Sequence, residues 1–148
     1  MKKGPRKRLF FVLFMALTLI ILFSACQEQD QKLVIVPEQE EYQVGISSSA
    51  GITLTAQADR SLKNDVLIFH WMTSEGTFLK WQKAGHPREL GQDVRTNEHK
   101  MIWAPTDGVP VGEVFVITLQ VESSDGGEVL AETSIQIEQR KEDIYRVQ

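Results

Sequence analysis

The chain is poor in the residues that most often bind metals or form covalent crosslinks. It contains one cysteine, Cys26, so no disulfide can form within the chain. Its three histidines, His70, His86 and His99, include no pair four residues apart and no H-x-x-E-H arrangement. With one cysteine and no such histidine pair, we expect neither a zinc site nor another metal centre.

The chain also lacks the short motifs of nucleotide-binding and hydrolytic sites. Neither the phosphate-binding run G-x-x-x-x-G-K-[ST] nor the dinucleotide run G-x-G-x-x-G occurs. Residues 45–49 begin like the nucleophile elbow G-x-S-x-G but end in Ser49 instead of glycine. Calcium needs roughly six to eight oxygen ligands, and the acidic group Glu122, Asp125 and Glu128 supplies too few. We therefore expect no enzyme activity and no cofactor.

A long apolar run occurs only at the N-terminus. Residues 9–23 are apolar apart from one threonine, and the residues before them include five lysines and arginines. Small Ser24 and Ala25 then precede Cys26. This order predicts a secretory signal peptide over residues 1–25. An uncleaved signal anchor is an alternative, although the run falls short of the about 20 apolar residues that span a bilayer.

The cysteine that directly follows this segment adds a second feature. The sequence Phe23-Ser24-Ala25-Cys26 resembles the cleavage site of bacterial lipoproteins, with Phe23 where leucine, valine or isoleucine is usual. The resemblance implies that the Cys26 thiol is diacylated and that cleavage makes it the first mature residue. The protein would then be anchored on the extracytoplasmic face of the cell membrane. Gln27 is not the aspartate that retains lipoproteins at the inner membrane, so a host with two membranes would carry it in the outer one.

The charge of the mature chain excludes one large class of partners. Removing residues 1–25 takes five of the 16 basic residues and none of the 20 acidic ones, which leaves a net charge near −9. Such a body repels nucleic acid, so we expect no DNA or RNA binding. The polar residues 26–32 are predicted to be a short tether between the lipid anchor and the body.

The apolar pattern from residue 33 onward repeats every two residues, as in half-buried strands. Helical stripes are missing, although residues 86–90 could form one turn. We predict an all-β, antiparallel sandwich of about seven to nine strands over residues 33–138. Residues 139–148 are mostly charged and are predicted to be a C-terminal tail that frays, with docking of Ile144, Tyr145 and Val147 onto the domain as the alternative. The predicted strands cover residues 33–36, 52–58, 66–72, 77–81, 92–96, 100–103, 114–122 and 128–138.

The last two predicted strands allow a prediction of register. A two-residue turn at Asp125-Gly126 would place Glu132 opposite Leu119, on the apolar face of its strand. A three-residue loop, residues 125–127, keeps that face apolar, because a shift of one residue turns every side chain over. We predict this loop, with Gly127 in the left-handed conformation at a bulge. It pairs Val121 with Ala131, Leu119 with Thr133, Ile117 with Ile135, and Phe115 with Ile137.

Several short motifs lie at the turns and in the core positions of the predicted strands: Phe69-His70-Trp71, Ser74-Glu75-Gly76-Thr77-Phe78, Trp103-Ala104-Pro105, Val116-Ile117-Thr118-Leu119-Gln120-Val121 and Asp125-Gly126-Gly127. Together they resemble bacterial Ig-like and PKD-type modules over residues 52–138. The chain lacks the antibody-type cysteine pair and the W-D-F-G-D-G turn of PKD modules. The resemblance implies an Ig-like sandwich fold and carries no active site.

The three tryptophans divide into two groups. Trp71 and Trp103 lie among aliphatic residues in predicted strands, so we expect both in the core. Trp81 stands beside lysines and glutamine before the polar segment 84–92. An exposed ring there could stack on a ligand, and a role in anchoring the loop is the alternative. Trp81 is therefore the predicted site of a ligand-capture lipoprotein that binds a glycan, a peptide or a cation.

A second predicted site lies on the strand before Trp71. Val66 and Ile68 alternate with Leu67 and Phe69, so the strand is apolar on both faces. In a two-layer sandwich the outward pair would be exposed, and exposed apolar patches mark contacts. We therefore predict that Val66 and Ile68 bind a protein partner of the cell envelope. The alternative is that residues 78–90 or the tail cover them.

Overall fold

The computed structural model describes residues 33–62, 67–82, 85–125 and 127–148. This part of the chain contains eleven strands, a 3-10 turn at Arg60–Leu62 and no α-helix. The strands are β1 (Leu33–Pro37), β2 (Glu41–Gln43), β3 (Ile52–Ala58), β4 (Leu67–Thr73), β5 (Thr77–Trp81), β6 (Pro87–Gly91), β7 (Asp93–Thr96), β8 (Lys100–Ala104), β9 (Val114–Ser123), β10 (Val129–Lys141) and β11 (Ile144–Val147).

The strands form two sheets that pack face to face. One sheet has the order β1-β3-β8-β5-β6, and the other has the order β2-β11-β10-β9-β4-β7. Neighbouring strands pair antiparallel in both sheets. This arrangement confirms the predicted all-β antiparallel sandwich. β1 is an edge strand, as its terminal proline requires, because proline has no N–H to donate to a neighbour.

The core lies between the inward faces of the sheets and contains most of the large aromatic side chains. Trp71 and Trp103 are both fully buried, which confirms their predicted place. The ring of Trp103 lies 5.9 Å from that of Phe115 and 5.8 Å from that of Tyr145. Trp71 lies 6.2 Å from Phe78, on the neighbouring sheet. Each buried aromatic side chain removes about 150–250 Å² from water, so this cluster dominates the burial.

The β9–β10 hairpin has the predicted register. All four predicted pairs between Phe115–Val121 and Ala131–Ile137 occur. The turn differs, because the Ser123 N–H donates to the Glu128 carbonyl, and this pair encloses four residues instead of the predicted three. A bulge between Val129 and Ala131 compensates for the extra residue. Gly127 has φ +68°, the predicted left-handed conformation, and Gly126 lies outside the described residues.

The predicted C-terminal tail, residues 139–148, belongs to the sandwich. β10 continues to Lys141, and β11 pairs with both β10 and β2. Tyr145 in β11 is buried against Trp103 and Phe115. The prediction of a tail at 139–148, and with it the boundary at residue 138, was wrong. Burial of one aromatic ring and pairing on both sides hold this charged segment in place.

The segment around residues 84–92 also differs from its prediction. Pro87–Gly91 forms β6, an edge strand paired with β5, instead of a loop or a helical turn. Lys83 and Ala84 lie outside the described residues. β6 has mostly exposed side chains and no apolar alternation, so its sequence carried no strand signal. Together with β2 and β11, it raises the strand number above the predicted seven to nine.

Candidate binding surface

Trp81 lies at the end of β5, on the outer face of the five-stranded sheet. Alternation along the strand turns Phe78 into the core and turns Leu79 and Trp81 outward. The Trp81 side chain is 52% exposed, whereas Trp71 and Trp103 are fully buried. The sequence left an exposed ring and a loop-anchoring ring as alternatives at this position, and the structure shows Trp81 exposed.

An apolar floor lies beside the Trp81 ring. Leu79 pairs with Ile102 of β8, and both side chains are buried on the outer side of the sheet. With Ala104 and Ala50 they form a small apolar cluster separate from the main core. A shallow groove of about 500 Å³ runs between this floor and the ring. The groove is built on paired strands, so its floor is held by the sheet.

The rim of the groove carries two ion pairs. The Lys80 ammonium lies 2.5 Å from Glu98, and the Lys100 ammonium lies 2.5 Å from Glu38. All four side chains are about half exposed, so each pair adds little to folding stability. The result is one exposed aromatic ring bordered by balanced charges, with Leu79 and Ile102 buried beside it. Surfaces of this kind, an apolar centre with a polar rim, are typical of binding interfaces.

The predicted partner-binding pair lies elsewhere. Ile68 is on the outer face of the six-stranded sheet, half-buried, and opposite Glu122 of β9. Its neighbour on that face, His70, is polar and buried. Val66 lies outside the described residues. The structure therefore places Ile68 among polar groups, on a different sheet from Trp81, and does not bring the two sites together.

The predicted lipidation site is not among the described residues. Cys26, the signal segment 1–25 and the tether 26–32 all precede residue 33, where the description begins. No helix in the described part of the chain is long and apolar enough to cross a membrane.

Sequence reasoning missed a polar cluster on the outer face of the six-stranded sheet. The Nδ1 atom of His70 lies 3.0 Å from Glu122, and its Nε2 atom lies 2.8 Å from Asp93. Arg95 donates from Nε to the second oxygen of Glu122 at 3.3 Å. The histidine thereby links three neighbouring strands, β4, β7 and β9.

This cluster ties three strands together below the surface of the sheet. Both ring nitrogens of His70 lie within hydrogen-bond distance of carboxylates, and the side chain is buried. These contacts fix the orientation of the ring between β7 and β9. Alternation along the strand indicates that His70 points outward between two inward aromatic residues. Only the pairing of β4 with β7 and β9 brings Asp93 and Glu122 next to it.

No group of three or more histidine, cysteine, aspartate or glutamate residues in the described ranges is arranged to hold a metal ion. Comparison of the chain with protein-family models, with curated proteins and with solved structures found no significant match.

Proposed function

We propose that this protein is a membrane-anchored extracytoplasmic lipoprotein whose Ig-like domain acts as a non-catalytic binding module for a cell-envelope protein. The observation that carries the binding role is the exposed Trp81 ring above an apolar floor on a rigid sheet face. The surface predicted from sequence, at Val66 and Ile68, gives way in this proposal to the groove beside Trp81.

The free energy that would be gained by burying the exposed Trp81 ring supports a binding role. With 52% of the side chain exposed, roughly 130 Å² of Trp81 is in contact with water. Covering that area would contribute about 3 kcal/mol at about 25 cal/mol per Å². Tryptophan is also among the residues that most often dominate binding energy at interfaces. One residue can therefore anchor a partner here.

The N-terminal sequence supports the location. A basic segment, an apolar run and small residues before Cys26 form the pattern of a lipoprotein signal. One acyl chain binds a membrane only marginally, and two or more hold it firmly. Diacylation at Cys26 would thus keep the domain within a short tether of the membrane surface.

Two observations support a non-catalytic role. The sequence contains none of the nucleotide, nucleophile or metal motifs considered above. The one histidine placed among carboxylates, His70, has both nitrogens occupied and is buried. A module of this kind acts by holding its partner, not by transforming it.

A second function, the capture of a glycan or peptide by a ligand-binding lipoprotein, would use the same ring. It is favoured by the paired charges of Lys80, Glu98, Lys100 and Glu38, which offer donors and acceptors around the groove. Aromatic rings bordered by polar groups stack on flat, amphipathic ligands. Trp81 is the shared anchor, so the size of the bound species distinguishes the two functions.

The test is crosslinking of the full-length, C-terminally tagged protein in its native membrane, followed by identification of the recovered proteins. We expect one envelope protein to be recovered with the wild type and lost with Trp81→Ala at unchanged melting temperature. Ile46→Ala is the matched control, because Ile46 is 73% exposed and lies outside the groove. Cys26→Ser should move the protein from the membrane to the soluble fraction.

The alternative outcomes are distinct. Recovery of the same partner by Trp81→Ala would refute the groove as the contact surface. Loss with Ile68→Lys alone would return the contact to the six-stranded sheet. Recovery of no protein, with a glycan or peptide bound by the wild type and not by Trp81→Ala, would establish the ligand-capture function instead.

A further inference from the structure

A second, smaller cavity lies at one end of the sandwich and shares Ala50 and Ala104 with the apolar cluster beside the Trp81 groove. Its volume is about 240 Å³. Its walls come from four segments of the chain: β2 with the residue after it, Ala50 before β3, the connection after β8 at residues 104–109, and the β10–β11 hairpin. The base contains the chain's two tyrosines, Tyr42 and Tyr145, which are both buried.

Three carboxylates border the mouth of this end cavity. Asp107 comes from the connection after β8, and Glu142 and Asp143 form the two-residue turn between β10 and β11. All three are exposed. No lysine, arginine or histidine of the described residues forms an ion pair with any of them, whereas Glu38, Glu98 and Glu122 each have a cationic partner.

The negative potential of these groups reaches the base of the cavity. The pKa of Tyr145 is raised first by burial and then by the charges of Asp143 and Asp107. Carboxylates at the mouth therefore act on a hydroxyl group at the base. A cation that entered the cavity would be attracted by the same charges.

Gln139 adds an independent polar group to the end cavity. It follows Ile137 on the inward face of β10, is 3% exposed, and forms part of the cavity wall. Its carboxamide oxygen is one of two buried side-chain polar atoms in the described residues without a hydrogen-bond partner. A buried acceptor without a donor is costly and is rare in folded proteins. A ligand with an N–H or O–H donor would satisfy the Gln139 oxygen.

We propose that this end cavity binds a primary ammonium group, carried either by a free alkylamine or by a lysine side chain of another protein. An ammonium group has three N–H donors, which the carboxylates of Asp107 and Asp143 and the Gln139 oxygen can accept. The cavity is larger than a metal ion needs, and the described residues form no metal cluster. Its buried tyrosine rings offer apolar contact to the methylene groups behind the nitrogen.

The experiment is an NMR titration of the full-length protein in zwitterionic detergent micelles at constant ionic strength. The probes are n-butylammonium, the capped peptide acetyl-Gly-Lys-Gly-amide, and n-butanol as the neutral control. We expect saturable shifts of the Gln139 side-chain amide and the Tyr145 ring with at least one cationic probe and none with butanol. Binding of both cations identifies a general amine site, and binding of the peptide alone identifies a site for lysine side chains.

Matched variants test the assigned residues. Asp107→Asn with Asp143→Asn should weaken binding at least about tenfold, since two attractive charges are lost. Asparagine also tolerates the left-handed backbone of Asp143, φ +61°, so the turn is preserved. Asp125→Asn with Glu128→Gln, in the hairpin at the other end of β10, removes the same number of charges and should leave the affinity unchanged.

The glutamine has its own test. Gln139→Leu should raise the melting temperature, because it removes an unpartnered buried oxygen, and should abolish the ammonium-induced shifts at Tyr145. Absence of saturable shifts with both cationic probes would overturn the proposal. Equal affinity in the Asp107/Asp143 double variant, or equal shifts with butanol, would overturn it as well.

Discussion

Gly76 allows a direct test of how the turn before β5 and the core are fitted together. This glycine has φ +82°, and a Cβ added there would lie 2.5 Å from Nε1 of Trp103 and 2.6 Å from the carbonyl oxygen of Ala104. The ring cannot move aside easily, because its N–H donates to the Glu75 carbonyl at 2.8 Å and to Thr73 at 3.1 Å. We therefore expect Gly76→Ala to be strongly destabilising.

The expected magnitude has two parts. A left-handed backbone costs an L-residue about 1–2 kcal/mol. Forcing a methyl group into a filled core costs a further 1–3 kcal/mol, roughly. Gly45→Ala is the matched control, because Gly45 has φ +74° and nothing lies within 4 Å of the added Cβ. Gly45→Ala should lower the free energy of unfolding only by the cost of the left-handed backbone. The two variants should therefore differ in that free energy by about 1–3 kcal/mol.

Urea unfolding followed by tryptophan fluorescence measures this difference. With a slope of about 1–3 kcal/mol per molar urea, a gap of about 2 kcal/mol moves the midpoint by roughly 1 M. Equal midpoints for Gly76→Ala and Gly45→Ala would refute the argument, since the contact with Trp103 would then carry no cost.

Two further predictions concern the buried polar groups. His70→Ala should lower the free energy of unfolding by about 2–3 kcal/mol, because Glu122 loses its 3.0 Å partner at a buried position. Combining it with Glu122→Ala in a double-mutant cycle should cost less than the sum, and additivity would contradict the link. Burial raises the pKa of Tyr42 and Tyr145 above 10.0, so their contribution to stability is complete below pH 10 and is lost as pH rises through the folded-state values. Replacing both tyrosines with phenylalanine should flatten this alkaline loss in urea midpoints measured against pH, and an unchanged slope would contradict the assignment.

The sequence alone predicted the features that depend on local alternation. In β9 and β10 the apolar residues occupy every second position, and only one register keeps Phe115, Ile117, Leu119 and Val121 facing a common core. That pattern was sufficient to predict the sandwich and four strand pairs correctly. For Trp81, the polar neighbours at the strand end made an exposed ring one of two alternatives, and only the structure distinguished them.

Tertiary contacts determined that three short segments form strands. β2, β6 and β11 have few residues and little apolar alternation, so their sequences resemble loops. They become strands because a neighbouring strand supplies backbone hydrogen bonds and, for β11, because Tyr145 is buried against Trp103. The compensation between turn length and the bulge in the β9–β10 hairpin depends on the same competition between local geometry and core packing.

The Trp81 groove and the end cavity show the same difference between local sequence and tertiary structure. The polar neighbours of Trp81 made an exposed ring one of two alternatives, whereas its apolar floor depends on the pairing of Leu79 with Ile102. The end cavity could not be predicted, because Tyr42, Asp107 and Gln139 come from segments far apart in sequence. Side-chain alternation is a local property that one strand reveals by itself. A cavity and its charges exist only once distant segments have been brought together by the closed core.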